Sequence, residues 1–460
     1  MLQKISWHDY RSVLGGAAVL PTHLPAPQAA DYCFDSRTIS KGQWFVALRG
    51  EHYDGHHYIA AALAKGAQGY LAAKTFRTQL SPNLHSHGIW VDDQPLLQLA
   101  KIANLHRRRL SAKIIAITGS TGKTTCKELL AAVLRSHSSH VSHSFSNENN
   151  EIGVIKALLR TPDNCCYCVL EFGARHGGDI ATLTAIAAPD IALCTNIGSS
   201  HLGIFSSPEQ LLATKCEIYT HSPADCICIV NKGYPALLAA AHDTGKRLIT
   251  FGTEATNNVR IVACNPQTVS ISLQTERGLE TYRGPSYHAA LADNLAAVVA
   301  ICVALDVPST TIQAGLATFS NLNGRFQTHK VGNLTLIDDS YNASPQSMAA
   351  GLSTLRILYP NAKKILILGD MLELGDTSIA AHQELQPAVA ALKPALVITV
   401  GRLAAHIASN AFPHQTFADV QALLTANLDY ASIGDVIYVK GSNAIGLNKV
   451  CSQLLAPGVV

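Results

Sequence analysis

Hydrophobic positions along this chain fall into two alternating series, and each series predicts a parallel sheet. In the middle third, apolar runs at residues 113–118, 167–173, 191–197, 226–231 and 247–251 have the length and bounding turn signals of buried strands. Segments of helical spacing separate them, so a sheet with helices on both faces is expected. At 258–283 the pattern shifts to three short strands, read as an antiparallel appendage, and 289–305 reads as a long Ala-rich helix. The second series begins after Gly324-Arg325-Phe326, with strands expected at 334–338, 364–368, 395–400 and 436–439. It predicts a Rossmann-like domain, but no GxGxxG follows any of its strands, so a dinucleotide role has no support.

The first 85 residues read as a smaller unit with a strand at 43–48 and a helix near 57–65. A polar stretch at 81–87 reads as a linker, and 95–109 as a helix with a basic end, which suits a helix C-terminus. The expected fold class is therefore α/β in three domains. These are a small N-terminal α/β domain (1–85), a central parallel-sheet domain (86–322) and a C-terminal Rossmann-like domain (323–460).

Composition supports large cores. Of the 460 residues, 48% are hydrophobic and 15% charged, which argues against disorder. The net charge of +3 is spread without a basic tail, so no nucleic-acid partner is expected. No stretch approaches membrane-spanning length, and residues 1–10 carry charge and His instead of an apolar signal core. A cytoplasmic protein is expected. The 12 cysteines sit mostly in apolar runs, as small hydrophobes. Cys165, Cys166 and Cys168 cluster beside a strand, where alternation would aim them at different faces, with no His at zinc-finger spacing.

The motif richest in chemistry is Thr118-Gly119-Ser120-Thr121-Gly122-Lys123-Thr124-Thr125. It follows a strand and opens a helix. Glycines let backbone N–H groups turn on phosphates, and the helix N-terminus adds partial positive charge. Lys123 can reach the β- and γ-phosphates, and the Thr124 hydroxyl can hold Mg²⁺. Ile117 stands where a strict Walker A has its first Gly. The plainer alternative is a Gly/Thr-rich turn that caps a helix. A phosphate loop alone fits a GTPase switch, a motor, a kinase or a ligase.

Glu171 closes the next strand of the series, where ligands of open α/β sheets gather, so it is a candidate Mg²⁺ ligand. Its alternative is an exposed strand-end acid. Asn196 and His201 leave the following strand at the same edge, although a lone His is more often a capping residue. Lys215 lies in a helix expected at 209–219, and taken by itself it reads as a solvated lysine.

Taken in order, these motifs resemble the Mur ligase family over nearly the whole chain. The resemblance rests on Asp35-Ser36-Arg37, Phe45-Val46-Ala47-Leu48-Arg49-Gly50, the phosphate loop and Asn149-Asn150-Glu151-Ile152-Gly153. It continues through Glu171-Phe172-Gly173-Ala174, Thr195-Asn196-Ile197, His201-Leu202, Lys215, Asn294 and Gly324-Arg325-Phe326. Asp338-Asp339-Ser340-Tyr341-Asn342-Ala343, Gly369-Asp370-Met371-Leu372-Glu373-Leu374-Gly375 and Lys440-Gly441-Ser442 complete it. The first two of these last segments are similar to the branch that adds D-alanyl-D-alanine to UDP-N-acetylmuramoyl-tripeptide.

The resemblance implies a first domain that binds the UDP-sugar, with Ser36, Arg37 and Asn149 facing that substrate. It implies a second that binds ATP and Mg²⁺, and a third that brings the amine and closes over ATP. The catalytic set would be Lys123, Glu171, His201 and Lys215, with Thr124, Glu171, His201 and Lys215 around metal. Lys215 would be carbamoylated and so turned into an anion. Gly119 to Thr125, Asn294, Arg325, Asp339, Tyr341 and Asn342 would contact the nucleotide. Asp339 would sit on the ribose or phosphate side, and Tyr341 and Asn342 on the adenine side. The implied reaction passes through an acyl phosphate, in a monomer. The sequence departs from the family pattern at Arg175, Ser199-Ser200, Ala290-Leu291 and Asn443. Another amide ligase of the superfamily, such as a folylpolyglutamate synthase, is the nearest alternative. A nucleotide switch would need Asn-Lys-x-Asp, and Asn231-Lys232-Gly233-Tyr234 lacks the Asp.

Overall fold

The structure is a computed structural model that describes residues 4–50, 52–92, 94–146, 148–198, 203–205, 207–284, 288–320, 322–426 and 428–456. Among these residues it contains three sheets, in chain order. The N-terminal sheet runs β1 (Tyr32–Cys33), β2 (Trp44–Val46), β3 (Gly69–Ala73) and β4 (Gly88–Val91), all parallel and in that order. Its fourth strand lies past residue 85, where the sequence pattern had placed the end of the unit. The stretch read as a linker is instead the 3₁₀ turn Pro82–His87 that delivers the chain into β4. Its polarity reflects an exposed turn, and Trp90 of β4 is fully buried beneath it.

The central sheet holds β5 (Lys113–Thr118), β6 (Val141–His143), β7 (Tyr167–Glu171), β8 (Ile191–Cys194), β9 (Ile227–Asn231) and β10 (Leu248–Gly252). The stretch expected as an appendage continues this same sheet. β11 (Val259–Asn265) pairs parallel with β10, and β12 (Ser270–Thr275) and β13 (Gly278–Arg283) follow antiparallel. The order is β13-β12-β11-β10-β9-β8-β5-β7-β6. β5 therefore has β7 on one side and β8 on the other, and the chain crosses over it. That is the switch point at which α/β sheets open a crevice beyond their carboxyl ends. Ile114, Ile115, Ala116 and Ile117 of β5 are fully buried, and each such Ile contributes about 1.5–3 kcal/mol of burial.

The C-terminal sheet has order β14-β15-β19-β16-β17-β18. Its strands are β14 (Gln327–Val331), β15 (Leu334–Asp338), β16 (Lys364–Gly369), β17 (Leu396–Val400), β18 (His414–Phe417) and β19 (Val436–Lys440). Only β14, at the edge, is antiparallel. β15, β16 and β19 end at Asp338, Gly369 and Lys440, so the loops carrying Asp339, Asp370 and Ser442 leave from the same edge. Cys165 and Cys168 are buried and Cys166 is exposed. No helix among the described residues is long and apolar enough to cross a membrane.

Candidate active site

A cavity of about 1180 Å³ lies between the carboxyl edges of the central and C-terminal sheets. The phosphate loop forms its floor. Gly119 has φ +139° and Gly122 φ +80°, and a Cβ would sit 2.0 Å from Thr195 Oγ1 at the first and 2.6 Å from Asn294 Oδ1 at the second. Both positions exclude a side chain twice over, by conformation and by space. The helix Lys123–His137 starts directly after Gly122 without a side-chain cap. Its first helical bond runs from the Cys126 N–H to the Gly122 carbonyl, so the amides of Lys123, Thr124 and Thr125 precede the intrahelical ladder, as an anion site requires.

The loop is braced from the side. The Ser120 N–H donates to the Asn196 carbonyl at 3.0 Å and the Thr121 N–H to Asn196 Oδ1 at 2.9 Å. Thr195 Oγ1 donates to the Thr121 carbonyl at 2.6 Å. Ser120 and Thr121 thus line the cavity with their amides already bonded, which leaves the amides at the helix start as the loop's candidate anion donors. Lys123 folds back, donating to the Gly119 and Ser120 carbonyls at 2.7 and 3.3 Å. Burial holds its ammonium below the ordinary lysine value, against the opposing pull of Glu171.

Glu171 is 3% exposed and is gripped on both oxygens. Thr124 Oγ1 donates to Oε2 at 2.8 Å, and Asn149 Nδ2 donates to Oε1 at 2.9 Å. A carboxylate has room for about four donors, so among the described residues half its capacity is unused. A buried anion beside an uncapped helix start and a hydroxyl is a hard oxygen set suited to a divalent cation.

The C-terminal domain supplies the opposite wall. Arg325 Nη2 donates to Thr124 Oγ1 at 3.0 Å, and the guanidinium lies 4.1 Å from the Tyr341 ring centroid. Stacking of this kind fixes a planar cation in place. Asp339 accepts from the Phe326 N–H at 3.1 Å, the Tyr438 hydroxyl at 2.9 Å and the Lys440 ammonium at 2.7 Å. Lys440 also donates to the Asn342 carbonyl at 3.0 Å. The Asp339 carboxylate therefore shapes the Arg325–Phe326 turn from within the protein while facing the cavity. Asn294 is buried, with Oδ1 accepting from Cys126 Sγ at 3.4 Å.

Three models match the chain along its length: Mur ligase family, catalytic domain, at residues 32–116; Mur ligase middle domain at 117–302; and Mur ligase, glutamate ligase domain, at 324–443. The UDP-N-acetylmuramoyl-tripeptide–D-alanyl-D-alanine ligase of Synechocystis sp. is 33% identical over 99% of both chains. The chain belongs to the Mur ligase family. Among solved structures, MurF from Acinetobacter baumannii is similar at 27% identity, TM-score 0.86, covering 98% of this chain and 99% of that one. The MurF ligase from Thermotoga maritima in complex with ADP is similar at 26% identity, TM-score 0.83, covering 93% and 98%.

Within this Mur ligase, Ser120 to Thr125, Asn149, Glu171, Lys215, Asn294, Arg325, Asp339, Tyr341 and Asn342 all line the one cavity. Arg175, Ala290, Leu291 and Asn443, where the sequence departs from the family pattern, line it as well. Lys215 is 1% exposed, so it is no solvated helix lysine. Burial first, and the nearby Lys123 ammonium second, bring its amine down to about 7. His201 and the Ser199-Ser200 pair lie outside the described residues. Ser36 and Arg37 stay in the N-terminal unit, away from this lining. There the Ser36 carbonyl accepts from Lys65 Nζ at 3.2 Å, and Arg37 Nη2 pairs with Asp35 at 2.8 Å. Sequence reasoning did not single out Tyr438, Ser144 or Lys127. Only Tyr438 left a signal, sharing a strand face with Lys440 at spacing two.

Proposed function

We propose that this Mur ligase joins D-alanyl-D-alanine to UDP-N-acetylmuramoyl-tripeptide with ATP, in the cytoplasm and as a monomer. One observation carries the reading. Lys123, Thr124, Glu171 and Arg325 converge in a cavity between two domains, in a chain similar end to end to ligases of that name. In the reaction the tripeptide carboxylate takes the γ-phosphoryl group of ATP, giving an acyl phosphate and ADP. The dipeptide amine then attacks the acyl carbon, phosphate leaves, and the amine proton passes to solvent or a nearby base.

The residues divide the work. Lys123 and Arg325 bring positive charge from opposite domains to the transferring phosphoryl group, which needs positioning and charge neutralisation above all. The amides at the helix start hold the phosphates. Mg²⁺ would be held by Thr124 and Glu171, with His201 and a carbamoylated Lys215 as the further ligands the family implies, and it would supply charge neutralisation. Carbamoylation forms an N–C bond between the Lys215 amine and carbon dioxide with loss of one proton. The burial of Lys215 supports it, because an ammonium is disfavoured there. Closure of the C-terminal domain keeps water from the acyl phosphate.

The test is mass spectrometry of products formed with ATP, D-alanyl-D-alanine and UDP-tripeptides ending in either meso-diaminopimelate or lysine. A UDP-pentapeptide is expected, with phosphate release dependent on both substrates. Phosphate release without the dipeptide and with no pentapeptide formed would overturn the assignment.

A further inference from the structure

Lys127 lies one turn after Lys123 in the same helix, and its side chain is fully buried. All three of its N–H donors find acceptors: the Ser144 carbonyl at 2.7 Å, Glu128 Oε1 at 3.0 Å and the Ser146 carbonyl at 3.4 Å. Ser146 is a non-glycine residue with φ +46°, a conformation that persists where surrounding contacts impose it. Ser144 is itself fully buried, and its Oγ accepts the backbone N–H of Glu171 at 2.9 Å. A few residues further on, Asn149 returns to the same place. Its side chain donates to Glu171 Oε1 at 2.9 Å, and its carbonyl accepts from the Gly173 N–H at 2.7 Å.

The helix that presents Lys123 and Thr124 therefore also fixes, through Lys127, the chain that grips Glu171 from behind. Burying an ammonium against one carboxylate and two carbonyls is a costly way to fill space, since an apolar side chain of similar volume would pack there without desolvation. What the ammonium adds is direction. We propose that Lys127 is a positioning residue that sets the Glu171 carboxylate against Thr124 for the divalent cation. This rests on the reading of Glu171 as a metal ligand.

The experiment uses the full chain and Mn²⁺ as the probe. Free Mn²⁺ is followed by electron paramagnetic resonance in the presence of ADP, and ADP affinity is measured separately without metal. Lys127→Met is expected to weaken Mn²⁺ binding about ten-fold, as loss of a group orienting a metal ligand does, with metal-free ADP affinity changed less than about two-fold. Lys127→Arg, which keeps donors in place, is expected to recover part of the loss. A folded Lys127→Met protein that binds Mn²⁺ like the parent overturns the proposal. If that variant does not fold, Ser144→Ala reads the same link by removing the hydroxyl that holds the Glu171 amide, and unchanged Mn²⁺ affinity there overturns the proposal too. Glu171→Gln separates the two levels. Normal Mn²⁺ binding by Glu171→Gln brings down the metal reading and this inference with it, whereas weakened binding there with both other variants normal removes only Lys127.

Discussion

Two arginines of this protein are held in opposite ways. Arg325 is stacked on Tyr341 and hydrogen-bonded to Thr124 of another domain, and its turn is braced by Asp339, Tyr438 and Lys440. Arg37 has a side chain that is 85% exposed, and its partner Asp35 belongs to its own turn, two residues back. The first arrangement fixes a charge before any ligand arrives, which is what electrostatic stabilisation of a transferring group needs. The second leaves a charge where a ligand can draw it away at little cost, because exposed pairs are held weakly. On the proposed function, chemistry would sit in the cavity where the domains meet, and recognition of the UDP-tripeptide would sit on the open N-terminal turn. Substitutions should divide accordingly, with the cavity controlling kcat and the turn controlling KM.

Lys123→Ala tests the cavity side most severely. Removing a preorganised cation from the phosphate loop is expected to lower kcat about 10³-fold. The melting temperature should hold within a few degrees, because among the described residues Lys123 bonds only to carbonyls of its own loop. Steady-state product formation and a thermal melt on one preparation check it, and near-normal kcat would remove the phosphate-loop assignment. Lys215→Ala comes next, with an expected loss of about 10²-fold. Acetate or bicarbonate should restore part of it, since position and charge of the oxygen ligand matter more than its attachment. Loss without any response to anions would leave Lys215 important and sink the carbamate.

The boundary between the domains offers a third test. The Gly203 N–H donates to the Glu373 carbonyl at 2.9 Å, and a Cβ on Gly203 would lie 2.3 Å from the Gly375 nitrogen. Gly203→Ala should therefore push the C-terminal domain off the central one by a fraction of an ångström. An expected ten-fold or so fall in kcat follows from misplacing Arg325, given that a full ångström can cost about 10²-fold. ADP binding to the phosphate loop should change little, and unaltered kcat would show that this contact does not govern closure.

What the sequence made legible was local. Strand, glycines and helix stand in contiguous order around Lys123, and Glu171 is marked by ending β7. The Lys127–Ser144 and Asp339–Tyr438 pairs are separated by 17 and 99 positions, so no window of periodicity could join them. Three of the missed strands have physical reasons as well. β6 has three residues, all half-buried, and β14 is a half-exposed edge strand, so neither shows a clean alternation. β4 follows a polar 3₁₀ turn that imitates a linker. The three strands after β10 read as a separate appendage because antiparallel pairing begins there, while the parallel β10–β11 pairing that joins them to the sheet leaves no trace in the pattern.

The smallest expected effect sharpens the comparison from the other side. Arg37→Ala removes a guanidinium that bonds Asp35 through Nε and Nη2, in a turn also held by the Arg37 backbone N–H on Asp35 Oδ1 at 2.9 Å. That backbone bond survives the substitution, so the turn should keep its shape and the melting temperature should stay within about 2 °C. The expected change is a rise in KM for the UDP-tripeptide of about five-fold, with kcat and the KM for ATP unaltered, as loss of uniform binding requires. The pH dependence has a definite sign. The Arg37 side chain first, and its backbone N–H second, lower the Asp35 carboxyl to about 2. Any contribution of the pair is therefore present above the unfolded carboxyl value and lost only as pH falls through about 2. Between pH 6 and 9 the pair should stay charged, and the ratio of parent to variant KM should be flat. A ratio that drifts across that window, or a fall in kcat of the size expected for the cavity variants, would place Arg37 in the chemistry and end the division between the two sites.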